Sequence, residues 1–268
     1  MRHMFLSRAA LLLVALLARG RAEGQTPSSI RDAVIGETGQ PTAEISTTEL
    51  IRVLADSSTT VFDARPYPEY SVSHIPGALN VAPKPGVAPS VYISDVAEIG
   101  RLLHSDTAAP IVLYCNGPNC GKSKRLAAEL LKAGYHNVRR YQLGIPVWRA
   151  LGGVCEIEPG GLRHVLSLDR TAVVIDSRPA ASFEAGSLPQ ARNIPRGLVL
   201  PGKDTGEVRL AKDDGRLPME DHNTRILVVG RDKGEARYVA EALAREAFHN
   251  VSYFPGDFAA ARKALAEP

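Results

Sequence analysis

Three cysteines in 268 residues are too few, and odd in number, for the disulfide framework of a small exported domain, so at least one thiol stays unpaired. Beyond the first 22 residues no apolar run is long enough to span a bilayer, which argues against an integral membrane protein. A basic stripe is missing as well. Arg2, Arg8, Arg19 and Arg21 all lie in those 22 residues, and without them 28 basic side chains face 29 acidic ones, so nucleic acid and anionic lipid lose their electrostatic case as partners. The seven histidines show no metal-ligand spacing of the H-E-x-x-H kind, and no metal or other cofactor is expected. What is present, 44% hydrophobic and 23% charged residues, is the composition of a globular protein of one large domain or two ordinary ones.

A basic stretch (Met1 to Arg8), an apolar run (Ala9 to Ala18) and a short tail ending in Gly20-Arg21-Ala22 read as a secretory signal peptide over residues 1–22, cleaved after Ala22. The apolar run is about half of the roughly 20 residues a membrane span needs. The mature chain is therefore expected in a periplasm or outside the cell, and residues 23–44 read as a flexible leader.

The rest repeats. Val61-Phe-Asp-Ala-Arg-Pro66 to His74-Ile-Pro-Gly-Ala-Leu-Asn80-Val81 overlays Val174-Ile-Asp-Ser-Arg-Pro179 to Ser187-Leu-Pro-Gln-Ala-Arg-Asn193-Ile194, every pair 113 apart. The offset recurs at His136-Asn137-Val138 and His249-Asn250-Val251. A period this long is a duplicated domain rather than a solenoid. Residues 45–152 and 162–268 are assigned to the two copies, with a Gly- and Pro-bearing linker over 153–161.

Each copy alternates strand and helix. In the first, a capping box at Ser46 to Glu49 opens a helix to Asp56, strands are predicted at 60–64, 79–81, 111–114 and 138–142, and helices at 94–104 and 123–133. The second repeats this with strands at 172–176, 226–229 and 251–254. The expected fold is α/β, two tandem domains, each a small, mostly parallel sheet flanked by helices on both faces.

The wholly apolar Ile111-Val-Leu-Tyr114 runs into Cys115-Asn-Gly-Pro-Asn-Cys120-Gly-Lys-Ser123. Ligands bind at the carboxyl ends of parallel strands, and here a strand ends in a thiol followed by a turn into a helix. The helix amino terminus offers free N–H groups and partial positive charge, which lower a thiol pKa and cradle an anion. Asn116, Gly117, Pro118, Asn119, Cys120, Gly121, Lys122 and Ser123 are the expected substrate-binding loop, with Lys122, Lys124 and Arg125 adding charge at its mouth. Cys120 reads either as a resolving thiol for Cys115 or as a loop filler.

Residues 45–268 resemble a tandem rhodanese, on Asp63-Ala-Arg65, Glu69-Tyr70 and His74-Ile-Pro-Gly-Ala78, on the position of Cys115, and on the closing run Ala127 to Gly134 with Asn137-Val138. The resemblance implies a sulfurtransferase: Cys115 takes sulfur from a donor such as thiosulfate as a persulfide and passes it to a thiol or cyanide-type acceptor. Two departures stand out. The loop is two residues longer than Gly230 to Ala236, its counterpart, and Gly230 replaces the nucleophile in the second copy. The related phosphatases place Arg where Gly121 stands, which argues against phosphoryl chemistry.

Asp63 and Arg65 recur as Asp176 and Arg178 in the copy without a nucleophile, which favours a structural role beside the site. Trp148 reads as a core anchor and Cys155 as incidental. Two alternatives remain: a thiol redox protein cycling Cys115 and Cys120, and a non-catalytic module binding sulfur compounds or a protein partner with the Gly230 copy as docking surface, a reading supported by its missing nucleophile and by the long polar insertion Gly197 to Asn223.

Overall fold

The computed structural model describes residues 29–266, apart from 85, 87 and 89–92. The predicted signal peptide lies outside the described residues, and among those described no helix is long and apolar enough to cross a membrane.

The first copy runs β1 (Ala43–Glu44), α1 (Thr47–Asp56), β2 (Thr60–Asp63), α2 (Tyr67–Val72), β3 (Leu79–Asn80), α3 (Asp95–Leu102), β4 (Ile111–Tyr114), α4 (Lys122–Lys132), β5 (Val138–Tyr141) and α5 (Gly144–Ala150). The second runs β6 (Cys155–Glu156), α6 (Pro159–Leu168), β7 (Val173–Asp176), α7 (Ala180–Glu184), β8 (Arg192–Asn193), α8 (Gly206–Asp213), β9 (Ile226–Val229), α9 (Lys233–Arg245), β10 (Val251–Tyr253) and α10 (Phe258–Ala266). Each forms a five-stranded parallel sheet, ordered β1-β5-β4-β2-β3 and β6-β10-β9-β7-β8.

The most apolar strand is central in each sheet, where both of its faces are covered by helices. Along β4 the side chains alternate. Val112 and Tyr114 pack with Leu50 and Val53 of α1 and with Ile145 and Trp148 of α5. Ile111 and Leu113 pack with Ile99 of α3 and with Leu126 and Leu130 of α4. In the second sheet, α8 and α9 cover one face of β9, and α6 and α10 the other. The predicted capping box closes: Ser46 Oγ accepts from Glu49 N at 3.2 Å, and Ser46 N donates to Glu49 Oε2 at 2.8 Å.

Three expectations about connections do not hold. From residue 29 the leader is tied down rather than flexible: Asp32 accepts from Thr48, Arg31 donates to the Leu151 carbonyl, Thr42 is buried, and β1 is an edge strand. The linker is not one either, since Cys155 and Glu156 form β6 and Pro159 starts α6. Nor is Gly197 to Asn223 an insertion, because its α8 stands between β8 and β9 as α3 stands between β3 and β4. Short main-chain pairings such as β1 and β6 leave no periodic trace in sequence, which is why both were missed.

The second of these segments joins the halves. His74 and Glu156 exchange backbone hydrogen bonds at 3.0 and 2.9 Å, Glu158 N donates to the Ser71 carbonyl at 2.8 Å, and α2 packs on α6. A Cβ on Gly161 would stand 1.9 Å from that carbonyl, so only glycine fits. Cys155 is fully buried in the first copy's core although its backbone belongs to the second sheet. The Glu156 carboxylate accepts from Tyr253 Oη at 2.8 Å, pairs with Lys233 Nζ at 2.6 Å and faces His74 Nε2 at 3.6 Å. Burial pushes its pKa up, but hydrogen bonds from His74, Lys233 and Tyr253 outweigh this and hold it at about 2.

Candidate active site

The register of the sheets fixes the comparison between copies. Tyr114 lies opposite Asp63 and Val229 opposite Asp176, so the next residues, Cys115 and Gly230, occupy the same station at the carboxyl end of a central strand. Cys115 is nearly inaccessible and bonded to Cys120 through a disulfide, with the two Cα atoms 6.4 Å apart.

Hydrogen bonds hold the loop along its length. Ile145 N donates to the Cys115 carbonyl at 3.1 Å, Cys120 N to the Gly117 carbonyl at 3.0 Å, and Gln142 Nε2 to the Pro118 carbonyl at 3.0 Å. Gly117 has φ +102°, a conformation open to glycine. Gly144, at φ +67°, is tighter still: a Cβ there would sit 2.3 Å from Gly117 N and 2.4 Å from the Cys115 carbonyl oxygen. Helix α4 then starts at Lys122 with Gly121 as its N-cap, and no side chain caps its first N–H groups.

The cations are less available than their number suggested. Lys122 Nζ lies 3.4 Å from Glu69 Oε1, and Asn116 Nδ2 donates to Glu69 Oε2 at 2.5 Å. Lys124 pairs with Glu37, and exposed Arg125 with Glu129 at 3.6 Å. Ser123 is buried, while Asn119 is exposed. At the mouth, Glu69 therefore offsets the charge of Lys122.

Reading the sequence for chemistry passed over four supporting residues. Glu69 was noted only as part of a motif. Gln142 follows β5 and could have been found by the strand-end argument that found Cys115. Arg140 is completely buried on β5, donating to Thr42 Oγ1 at 2.8 Å and to Gln142 Oε1, with Glu37 of the leader 3.9 Å away. The chain Glu37, Arg140, Gln142, Pro118 carbonyl thus braces the loop from behind.

Asp63 and Arg65 lie beneath this loop as a buried clamp. Arg65 N and Nε donate to Asp63 Oδ1 at 2.9 Å each, Nη2 reaches the Ser73 carbonyl at 2.6 Å, and Tyr114 Oη donates to Asp63 Oδ2 at 2.6 Å. Burial disfavours charge on Arg65, yet hydrogen bonding and attraction from Asp63 raise its pKa above the ordinary guanidinium value. Asp176, Arg178 and the Gly186 carbonyl repeat the arrangement. In both copies an asparagine, Asn80 or Asn193, ties the two carbonyls of the clamp. The same clamp is thus present in the copy with a thiol and in the copy without one.

A model of the rhodanese-like domain matches residues 46–151 and again 164–264. The chain belongs to the rhodanese-like domain family. Among curated proteins it is similar to an HTH-type transcriptional regulator of Mycobacterium tuberculosis, 31% identical over 114 residues, which cover 42% of this chain and 45% of the regulator. Solved structures that resemble it include wild-type EanB, at 17% identity and a TM-score of 0.37, covering 83% of this chain and 60% of that one. An anaerobic ergothioneine biosynthesis enzyme from Chlorobium limicola, solved with trimethyl histidine, matches at 18% identity and a TM-score of 0.37, over 83% of this chain and 61% of that one. The chain spans less than half of the regulator and less than two thirds of the EanB chain.

The second rhodanese-like copy has its loop closed by its own side chain. Glu235, buried in the first turn of α9, accepts from Arg231 N at 3.2 Å and Arg231 Nε at 2.7 Å, and Ser177 Oγ lies 3.3 Å away. A Cβ on Gly230 would stand 2.6 Å from Ser177 Oγ and 3.3 Å from Glu235 Oε1. The station that holds a sulfur in the first copy is filled by a carboxylate and a hydroxyl in the second.

Proposed function

We propose that this chain is an exported sulfurtransferase whose reduced Cys115 accepts sulfane sulfur from an anionic donor such as thiosulfate and passes it, as a persulfide, to a thiol or cyanide-type acceptor. The observation that carries the reading is a cysteine directly after the central buried strand, in a loop that leads into the uncapped amino terminus of α4. That environment stabilises the thiolate, and the same amides would hold the donor's oxyanion while the thiolate attacks its outer sulfur.

In this reading the second copy is not catalytic. With Gly230 in place of the nucleophile and Glu235 in the cradle, it supports the first copy through the seam at His74 and Glu156. Export rests on the signal-like residues 1–22 alone.

The test uses protein reduced with a dithiol and freed of it, incubated with thiosulfate and then cyanide, with intact mass and thiocyanate as readouts. A sulfur adduct and thiocyanate are expected from the wild type and neither from Cys115→Ser. Equal thiocyanate from Cys115→Ser would overturn the assignment.

A further inference from the structure

Persulfide transfer to an external acceptor needs only one thiolate, so it leaves the Cys115–Cys120 disulfide without a task. Both cysteines are held where they can react. The Cys115 carbonyl is fixed by Ile145 N, the Pro118 carbonyl by Gln142, and Cys120 N by the Gly117 carbonyl, so the loop brings two sulfurs together across a turn pinned at both ends. Cys120 directly precedes the N-cap Gly121 and is more exposed than Cys115. The α4 terminus that favours the Cys115 thiolate therefore acts on Cys120 too. The third thiol, Cys155, is buried in the core beneath the seam and is no competitor.

We propose that Cys120 resolves the Cys115 persulfide, expelling the sulfane sulfur as hydrosulfide and leaving a Cys115–Cys120 disulfide as the product of a turnover. The proposal rests on the sulfur-transfer reading above. In the loading step the Cys115 thiolate attacks the outer sulfur of thiosulfate, a sulfur–sulfur bond forms, the donor's own sulfur–sulfur bond breaks, and sulfite leaves with the electron pair. In the resolving step the Cys120 thiolate attacks the inner sulfur, that of Cys115. The persulfide bond breaks and hydrosulfide leaves with the electron pair and the persulfide's proton. The transferred sulfur is reduced by two electrons, and two cysteines are oxidised to one disulfide. A dithiol reductant, a small molecule or another protein's thiol pair, then returns both cysteines to thiolates and is itself oxidised to a disulfide.

Intramolecular attack outruns an external acceptor unless that acceptor is abundant, because the two sulfurs share one short loop. The chain would thus deliver hydrosulfide when reductant is plentiful and accumulate in the closed, sulfur-inaccessible form when it is not.

A single turnover tests this. Wild type, Cys120→Ser and Cys120→Ala, each fully reduced and freed of reductant without air, receive thiosulfate with no thiol present, and sulfite, hydrosulfide and intact mass are followed. The wild type is expected to release about one hydrosulfide per chain and to finish about 2 Da lighter than the reduced protein. The Cys120 variants are expected to keep a stable gain of about 32 Da and to release none. Wild type that holds the added sulfur and releases no hydrosulfide overturns the proposal while leaving sulfur transfer intact, as do Cys120 variants that release hydrosulfide as fast as wild type. Absence of any adduct, sulfite or hydrosulfide in all three overturns sulfur transfer itself and the proposal with it.

Discussion

Replacing Glu156 by Gln removes the charge at the centre of the seam while keeping its shape, and the consequence depends on pH. In the folded protein the carboxyl titrates at about 2, against a reference of 4.5. A group whose pKa is depressed on folding stabilises the fold above its unfolded value, and that stabilisation is lost as pH falls from about 4.5 towards 2. A shift of this size corresponds to about 3 kcal/mol at roughly 1.4 kcal/mol per unit. Lys233, one of the partners, is half exposed, and water screens its share, so about 2 kcal/mol is the expected contribution. Urea unfolding of wild type and Glu156→Gln at pH 7 should therefore differ by about 2 kcal/mol, and at pH 2.5 by much less. His74, Lys233, Tyr253 and the nearby Glu158 are common to both proteins, so the difference isolates Glu156. An equal deficit at both pH values would refute the reasoning, since it would mean that the carboxylate contributes shape and hydrogen bonding but no charge.

Gly144→Ala should cost about 3 kcal/mol or more and abolish sulfur loading, because its Cβ would fall against the Cys115 carbonyl at a backbone angle an L-residue resists; Gly121→Ala, with open space around it, should be nearly silent in thermal melts. Glu69→Gln frees Lys122 and removes a negative charge from the mouth, so the KM for thiosulfate should fall about three- to tenfold at low salt and less at high salt; an unchanged KM would place the donor away from Glu69. Asp63→Asn and Asp176→Asn each leave a buried arginine without its counter-charge and should cost about 3 kcal/mol, measured by denaturation. The Asp176 variant should still load sulfur on Cys115, which a catalytic role for the clamp would not allow.

Where side chains carry the information, the fold could be read directly. The runs Ile111 to Tyr114 and Ile226 to Val229 announced two central strands, the offset of 113 announced two copies, and Cys115 stands at the strand end where the sequence placed it. Where backbone carries it, the sequence was silent. β1 and β6 are two residues long and held by main-chain pairing, and Pro159-Gly160-Gly161 has the composition of a linker although it begins a helix whose glycine admits the Ser71 carbonyl. Loop length was half legible. The two extra residues after Cys115 were counted, but α4 starts seven residues after Cys115 whereas α9 starts three after Gly230, so the helix itself also begins two residues late. Charge at the mouth was misjudged because Glu69 approaches Lys122 from 53 residues away.

Duplication ordinarily yields modules that can be excised, shuffled or lost one at a time. Here the joining segment is a strand of one sheet, hydrogen-bonded to the other domain, and Cys155 within it plugs the neighbouring core. A cut before it opens a hole beside Trp148 in the first core; a cut after it deprives the second sheet of its edge and strands two residues of foreign sheet on the first. No boundary divides the molecule into two whole parts, so the copy bearing Gly230 is not dispensable cargo, and the pair is inherited, and would have to be transplanted, as one body.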